Sequence, residues 1–386
     1  MPVSLSRVET LNLTEPLTAP MDPEAALARV AYLLDRTLAP SQKAMAFGKA
    51  LDTVRSVGPD VIAAKAADGT LGDLPGIGKS TGSVIAEALA GGVPEYLAKL
   101  EQVGDVPLST AATPYRAALK GDCHLHSEWS DGGAPIEVMA TTAQALGHEY
   151  MVLTDHSPRL TVAHGLNRDR LLDQLAVIER LNDELAPFRI LTGMEVDILE
   201  DGALDMDEDL LDRLDIVVAS VHSKLKMPAD EMTRRMVLAI ASPHTDILGH
   251  CTGRKVSSAQ VARVLDGQDQ AGPDAPLEDP ERDASPKRAQ SAFDAELVFA
   301  ACAKFDKAVE INSRPERQDP PDDLLELALE WGCKIAIDTD AHAPGQLEWQ
   351  AFGCEKAARH EIEIDRIVNT WDADTLLEWA SNHPTG

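Results

Sequence analysis

The chain has 386 residues, 44% of them hydrophobic, and a formal net charge of −29 from 35 basic and 64 acidic side chains. That length accommodates two or three domains, and that hydrophobic fraction a buried core. The acidity excludes a protein that grips nucleic acid by a bulk basic surface, and leaves binding through backbone amides, a local basic patch or bound metal ions. No apolar run approaches the roughly 20 residues that span a bilayer, so no membrane partner is expected. The opening "MPVSLSRVETLNLTEPLTAP" lacks a charged region followed by an apolar one, so no secretory signal is expected either. Five scattered cysteines fit a reducing cytoplasm better than a disulfide framework.

Residues 1–20 read as a flexible tail punctuated by proline. From "DPEAALARVAYLLDRTL" to "EYLAKLEQ" the apolar residues recur at helical spacing, which predicts a small all-helical domain over 21–102. Within it, "LPGIGKST" (74–81) has the look of a nucleotide phosphate loop. That loop needs a glycine five residues before Gly78 and a buried strand ahead of it. The position holds Asp73 and the approach reads as helix and turn, so no nucleotide cofactor is expected. The pattern predicts a helix–hairpin–helix instead. A short helix ends near Leu74, "PGIG" makes the hairpin, and a second helix runs from Lys79 to Leu89. Leu71, Leu74, Ile77, Val84 and Leu89 are its expected packing residues. Gly76 and Gly78 permit close backbone approach. With Lys79 and Ser80 they are the expected contacts to a DNA phosphate, made without reading sequence.

Residues 103–117 read as a linker rich in Pro, Ser and Thr. From 118 to 386 short apolar runs alternate with amphipathic helical stretches, which predicts an α/β domain with a parallel sheet or barrel. Its runs include "YMVLTDH", "FRILTGME", "DIVVASVH", "TDILGH", "KAVEIN" and "KIAIDTDAH". Residues 257–291 break the pattern, with an Asp-, Glu- and Pro-rich centre at 266–290, and are expected to form a mobile acidic surface insertion.

The runs end at groups that bind metals. Asp155 and His156 close the first, Glu195 the second, His222 the third, His250 the fourth; Asn312 closes the fifth, and Asp340 with His342 the last. Polar groups at the C-terminal ends of parallel strands converge on one mouth of an α/β barrel. "GDCHLHS" and "DTDAH" each place two ligand types two residues apart, on one side of an extended chain: His124 with His126, Asp340 with His342. Asp131 follows in the turn "SDGG". Six histidines and three carboxylates exceed what one ion can use; two or three ions with a bridging carboxylate fit them. The remaining histidines, His148, His164, His244, His360 and His383, are expected to be ordinary polar residues, His164 lying nearest the mouth. Arg159, Lys224, Arg254, Arg314 and Arg317 follow strand ends and are candidates to hold substrate phosphates, Arg314 and Arg317 foremost.

In their order, "GDCHLHSEWSDGG", "VLTDHS", "TGMEVDI", "ASVHS", "LGHCTGR", "VEINSRPER" and "DTDAH" resemble the PHP (polymerase and histidinol phosphatase) domain, above all that of bacterial X-family DNA polymerases. The resemblance covers about 118–360. It implies a distorted seven-stranded (β/α) barrel with three divalent ions, Mn²⁺, Zn²⁺ or Fe²⁺. It implies that His124, His126, Glu195 and Asp340 hold the first ion, that Glu195 bridges to a second completed by His222 and His250, and that Asp131, His156 and His342 hold the third. Cys251 departs from the pattern, since proline is commoner after the Gly-His pair. The expected catalytic set is Glu195, Asp131 and His156 with Arg314 and Arg317. The expected chemistry is phosphoester hydrolysis, because bound ions lower the pKa of water and polarise a phosphoryl group.

The helical domain resembles the amino-terminal eight-kilodalton domain of the same polymerases. Val84 stands where that domain's lyase lysine would be, so no lyase is expected. The linker leaves no room for palm and fingers, so no polymerase activity is expected. The resemblance implies a metal-dependent hydrolase acting at DNA ends, gaps or nicks in repair, as a 3′–5′ exonuclease or 3′-phosphatase. Two other readings stay open: a small-molecule phosphatase of the histidinol-phosphatase type, and a non-catalytic DNA-repair adaptor.

Overall fold

The computed structural model describes residues 13–103, 105–267 and 286–384. The chain divides into two compact units: Met1–Asp105 with Ala343–Gln346, and Val106–His342 with Leu347–Gly386.

Among the described residues the first unit holds five α-helices, α1 (Pro23–Arg36), α2 (Ser41–Val57), α3 (Pro59–Ala67), α4 (Lys79–Leu89) and α5 (Glu95–Glu101). The Asp22 carboxylate caps α1 by accepting from Glu24 N, and Pro23 sits in the first turn, where its missing N–H costs nothing. Ala26, Leu27, Val30, Leu33 and Leu34 form the buried face of α1. The buried Arg29 guanidinium clamps Glu101 of α5, Nε to Oε1 at 2.8 Å and Nη2 to Oε2 at 2.9 Å. Its Nη1 donates to Leu13 O, and Leu13 and Leu17 pack on the helical core. The expected tail is thus packed from residue 13; residues 1–12 lie outside the described residues. Leu71, Ile77 and Val84 are buried and Leu74 packs beside them, whereas Leu89 is 41% exposed. The buried face of α4 is Thr81, Val84, Ile85 and Ala88, and Leu89 lies one position beyond that stripe.

The second unit is a ring of seven parallel strands in sequential order: β1 (Gly121–Leu125), β2 (Tyr150–Leu153), β3 (Arg189–Asp197), β4 (Ile216–Ser220), β5 (Ile247–Leu248), β6 (Ala308–Asn312) and β7 (Lys334–Asp338). A parallel bridge between Leu125 and Ala341 brings the first strand to the last, with Asp340 N donating to His124 O at 2.9 Å and His126 N to Ala341 O at 2.8 Å. The runs are buried along nearly their whole length because helices cover the outside. Those helices are α6 (Thr113–Ala118), α7 (Ile136–Ala145), α8 (Arg168–Leu185), α9 (Glu208–Leu211), α10 (Ala229–Ile240), α11 (Ser258–Leu265), α12 (Ala295–Lys304), α13 (Asp322–Glu330), α14 (Gln350–Arg359) and α15 (Ala373–Ala380).

α6 begins at Thr113, inside the expected linker, with Pro114 in its first turn. One expectation is corrected. The insertion does not begin at 257: α11 occupies 258–265, started by a capping box in which Gln260 N donates to Ser257 Oγ and Ser257 N to Gln260 Oε1. At its far end Ser291 N bonds Thr252 O and Arg288 bridges Lys255. The acidic centre at 268–285 lies outside the described residues. All five cysteines are buried and unbridged. Among the described residues no helix is long and apolar enough to cross a membrane.

Candidate metal centre

The nine expected ligands all come to the C-terminal mouth of the ring. His124 is the penultimate residue of β1, and His126 follows the strand on the same side of the extended chain. Asp131 follows in a turn held against Ser127, where Gly132 is required: a Cβ there would lie 2.7 Å from the Ser127 carbonyl. His156 follows β2, Glu195 lies within β3, His222 follows β4, His250 follows β5, and Asp340 and His342 follow β7. His250 and Asp340 hold positive φ, 20° and 52°. Non-glycine residues take that conformation mainly where the surroundings impose it, often at functional sites.

Glu195 is the centre. Its Oε1 lies 2.8 Å from His250 Nε2 and 3.1 Å from His222 Nε2. Its Oε2 lies 2.9 Å from His156 Nδ1, 3.3 Å from His124 Nε2 and 3.6 Å from His126 Nε2. One carboxylate therefore faces two sets of imidazoles with different oxygens, the arrangement a bridging ligand needs. Asp131 Oδ1 lies 3.3 Å from His342 Nε2 and 3.5 Å from His156 Nε2. Asp340 Oδ1 lies 3.5 Å from both His126 Nε2 and His342 Nδ1. Three groups have ligand atoms close enough to share an ion: Asp131, His126, His156 and His342; His124, His126 and Asp340; His156, Glu195 and His222. They overlap more than three separate sites would, since His126 and His156 each serve two.

The donor set fits divalent cations. His124 Nε2, both ring nitrogens of His126 and His222, His156 Nδ1, His250 Nδ1 and Glu195 Oε2 are buried without a hydrogen-bond partner. So many unpaired polar atoms in one cavity are costly unless a cation binds them. Protonation states agree at His126, His250, Glu195 and Asp340, whereas at His124 burial is outweighed by Glu195 and Glu310, which carry the pKa well above the ordinary imidazole value. Burial, reinforced by His342 and His156, holds the His126 pKa well below the ordinary imidazole value, and burial with Arg317 lowers that of His250. Burial would raise Glu195 and Asp340, but His222 and other imidazoles outweigh it at Glu195, and Arg317 outweighs it at Asp340; both carboxyls lie well below the usual range. These groups are neutral imidazoles and ionised carboxylates, the forms that ligate. Burial would lower His222 too, yet Glu195 and Asp197 carry it up to about 9.

A buried residue outside the expected set completes the centre. Glu310 of β6 places Oε1 2.6 Å from His124 Nδ1, while its Oε2 accepts from His250 N and from Asn312 Nδ2 at 3.2 Å. With Nδ1–H donated to Glu310, His124 would present its Nε2 lone pair to a cation that displaces the Nε2 proton. The signal in the sequence is a lone glutamate inside the apolar run "KAVEIN". Asp197 stands near His222 without that bond: its Oδ1 accepts from His222 N at 3.1 Å and lies 3.7 Å from Nδ1.

Asp155 is no ligand: its carboxylate accepts from Ser127 N, Ser127 Oγ and Gln174 Nε2 at 2.6–2.8 Å and so holds the loop that carries Asp131. Arg317 Nε binds Asp340 Oδ2 at 2.8 Å, and its buried Nη1 has no hydrogen-bond partner. Arg314 lies over the Trp349 ring and donates Nη1 to Asp340 O at 2.9 Å. Arg254 is buried and donates to the carbonyls of Arg317 and Gln318, so it braces the loop rather than reaching a substrate. Arg159 and Lys224 are exposed beside Asp205 and Glu200. Cys251 is buried with Sγ 3.7 Å from Asp319, not at a metal ligand. His383 and His360 pair with Asp246 and Asp322.

In the helical unit, Gly76, Gly78, Lys79 and Ser80 are exposed at the start of α4. Gly76 has φ 76°, and a Cβ there would meet Lys49 O at 3.3 Å. The Gly78 N–H donates to Thr81 Oγ1 at 2.9 Å, so the amides left for an anion begin with those of Lys79 and Ser80.

The PHP domain model matches residues 122–314, half the chain. The chain belongs to the PHP domain family. Among curated relatives it is 36% identical, over 251 residues, to the DNA polymerase/3′-5′ exonuclease PolX of Bacillus subtilis; the match covers 65% of this chain and 39% of that protein. It is 29% identical over 274 residues to a probable phosphatase of Thermoanaerobacter sp., covering 67% of this chain and 93% of that one. Among solved structures, the histidinol phosphate phosphatase of Lactococcus lactis, crystallised with zinc, L-histidinol and phosphate, aligns at TM-score 0.39 and 20% identity, covering 63% of this chain and 93% of that one.

Proposed function

We propose that this PHP-family hydrolase of phosphate esters acts on DNA ends, as a metal-dependent 3′–5′ exonuclease or 3′-phosphatase in repair. The observation that carries the reading is the Glu195-centred cluster on the same chain as a glycine hairpin whose exposed helix start suits a backbone phosphate. Divalent ions in the cluster would supply Lewis acidity and a water of lowered pKa. The chain's own residues supply the rest. Glu195 offers one oxygen to each half of the cluster. Arg317, fixed through Nε, keeps Nη1 for a phosphoryl oxygen, and Arg314 is held beside it by Trp349. Asp131 is the most open of the three ligand carboxylates, at 34% side-chain exposure, and with His156 and His342 would hold an ion that substrate can reach. Lys79 and Ser80 amides, with Gly76 and Gly78 keeping the approach clear, hold DNA without reading bases.

The match to a probable phosphatase along 93% of that protein's length favours a second reading, a phosphatase of small metabolites. One assay separates them. Purified protein with manganese is offered 5′-labelled single-stranded, nicked and 3′-phosphorylated DNA, and histidinol phosphate, with His126→Ala and Glu195→Ala as controls. Turnover of a DNA substrate, lost in both controls, is the expected result. Turnover of histidinol phosphate alone refutes it, and no turnover of any substrate favours a non-catalytic adaptor.

A further inference from the structure

A second charged feature stands beside the metal centre, and the cluster does not account for it. Three loop segments, 253–256, 287–288 and 314–317, are tied by backbone bonds: Lys255 N to Arg288 O at 2.9 Å, Arg288 N to Lys255 O at 3.1 Å, and Val256 N to Glu316 O at 2.8 Å. They gather Lys255, Lys287, Arg288, Arg314 and Arg317 in a chain of net charge −29. Lys255 and Arg288 form an antiparallel bridge. Residues paired that way project from the same face, and like charges directly opposite destabilise the pair. The nearby carboxylates make their contact-distance pairs with other groups. Glu316 lies 3.4 Å from Arg314 and 3.9 Å from Lys287, Asp340 is bound by Arg317, and Asp319 accepts from Thr252 Oγ1 at 2.7 Å. Among the described residues no carboxylate lies within 4 Å of the Lys255 ammonium or the Arg288 guanidinium. Burial, with Arg317, Arg314 and Arg288, depresses the Lys255 pKa below the ordinary lysine value and outweighs the opposing charge of Glu316. A pair of cations only partly offset by Glu316, with Arg288 Nε donating to Gly253 O, fixed by backbone bonds and joined to the loop that carries Arg314 and Arg317, is an arrangement that an anion relieves.

We propose that Lys255 and Arg288, with Lys287 at their edge, form a second phosphate site that takes the backbone phosphate next to the one being hydrolysed. The site makes the mouth selective for a polynucleotide end over an isolated phosphoester. The inference rests on the DNA reading above and adds to it where on the barrel the strand runs. A monoester has no second phosphate and gains nothing from these cations.

The test compares the full-length protein with its Lys255→Gln/Arg288→Gln variant on a four-nucleotide single strand and on bis(p-nitrophenyl) phosphate. The expected result is that kcat/KM for the oligonucleotide falls about tenfold relative to that for the small diester, as loss of a charge-assisted contact implies. The slope of log affinity for an uncleavable phosphorothioate strand against log salt should flatten by about 0.7 per phosphate released. A Lys255→Arg/Arg288→Lys exchange, which keeps both charges, should restore the ratio. Equal loss on both substrates means the pair serves the fold, and an unchanged ratio and slope mean it touches no phosphate; either overturns the proposal. A wild-type protein that turns over the small diester but neither binds nor cuts the strand refutes the DNA reading, and the second site falls with it.

Discussion

Replacing Glu310 by glutamine tests how the centre is held without touching an expected ligand. The carboxylate serves three donors, His124 Nδ1 at 2.6 Å through Oε1, and His250 N and Asn312 Nδ2 through Oε2. Glutamine has nearly the same shape but one oxygen and one NH₂. If the oxygen faces His250 N, the NH₂ faces His124 Nδ1, and the imidazole must carry its proton on Nε2, the atom aimed at Glu195 Oε2. If the oxygen faces His124, the NH₂ meets the His250 N–H, and two buried donors oppose each other. Either arrangement leaves a buried polar group unsatisfied, at about 1–3 kcal/mol. That matches the roughly 10–100-fold loss of metal affinity typical of such outer partners. The assay is competition with a chelating dye for Mn²⁺ or Zn²⁺, plus metal content after dialysis. Thermal unfolding of the chelator-treated proteins checks that the variant folds. Wild-type affinity and metal content in Glu310→Gln refute the reasoning.

Three further outcomes are expected. Gly78 has extended backbone and open space where a Cβ would go, so Gly78→Ala should change stability by less than about 1 kcal/mol yet weaken DNA binding; Gly76→Ala, at φ 76°, should cost about 1–2 kcal/mol and lower the melting temperature. Unaltered DNA binding by Gly78→Ala removes the hairpin from the interface. His148 is buried, and burial, then Arg116, hold its pKa down to about 3 from an ordinary 6.5. Its folded pKa lies below the unfolded one, so its contribution is complete above pH 6.5 and lost as pH falls towards 3, on the order of 4 kcal/mol. Denaturant melts across that range should show a flatter acid limb in His148→Gln, and an identical limb counts against it. Finally, with His222 carried up to about 9, metal binding at pH 7 should release protons and tighten as pH rises towards 9. Calorimetry in buffers of different ionisation enthalpy reads this directly, and a heat independent of buffer contradicts it.

The barrel and the positions of the nine centre residues were legible because both follow from local pattern. Apolar runs such as "YMVLTDH" and "DIVVASVH" alternate with amphipathic helices, and parallel strands in a ring send their C-terminal ends to one mouth. The start of α4 at Lys79 was legible for a similar reason, since glycine at 78 followed by an apolar stripe is a local helix signal. The start of α11 was also locally encoded, in the Ser257–Gln260 capping box, but the acidic composition downstream obscured it.

Other features depend on which segments meet across long separations. In the sequence Glu310 is one acid in a strand; 186 residues separate it from His124, and only the closed ring sets them 2.6 Å apart. Asp155 and Arg254 resemble site residues by position, and their partners, Ser127, Gln174, Arg317 and Gln318, make them braces. Lys255 and Arg288 flank an acidic stretch in the chain, and a backbone bridge makes them neighbours. Sequence determines what each strand end can offer, because side-chain chemistry and strand alternation are local. Tertiary structure decides which offers meet, because hydrogen bonds and Coulomb forces act across a few ångströms of space, however far apart the residues lie along the chain.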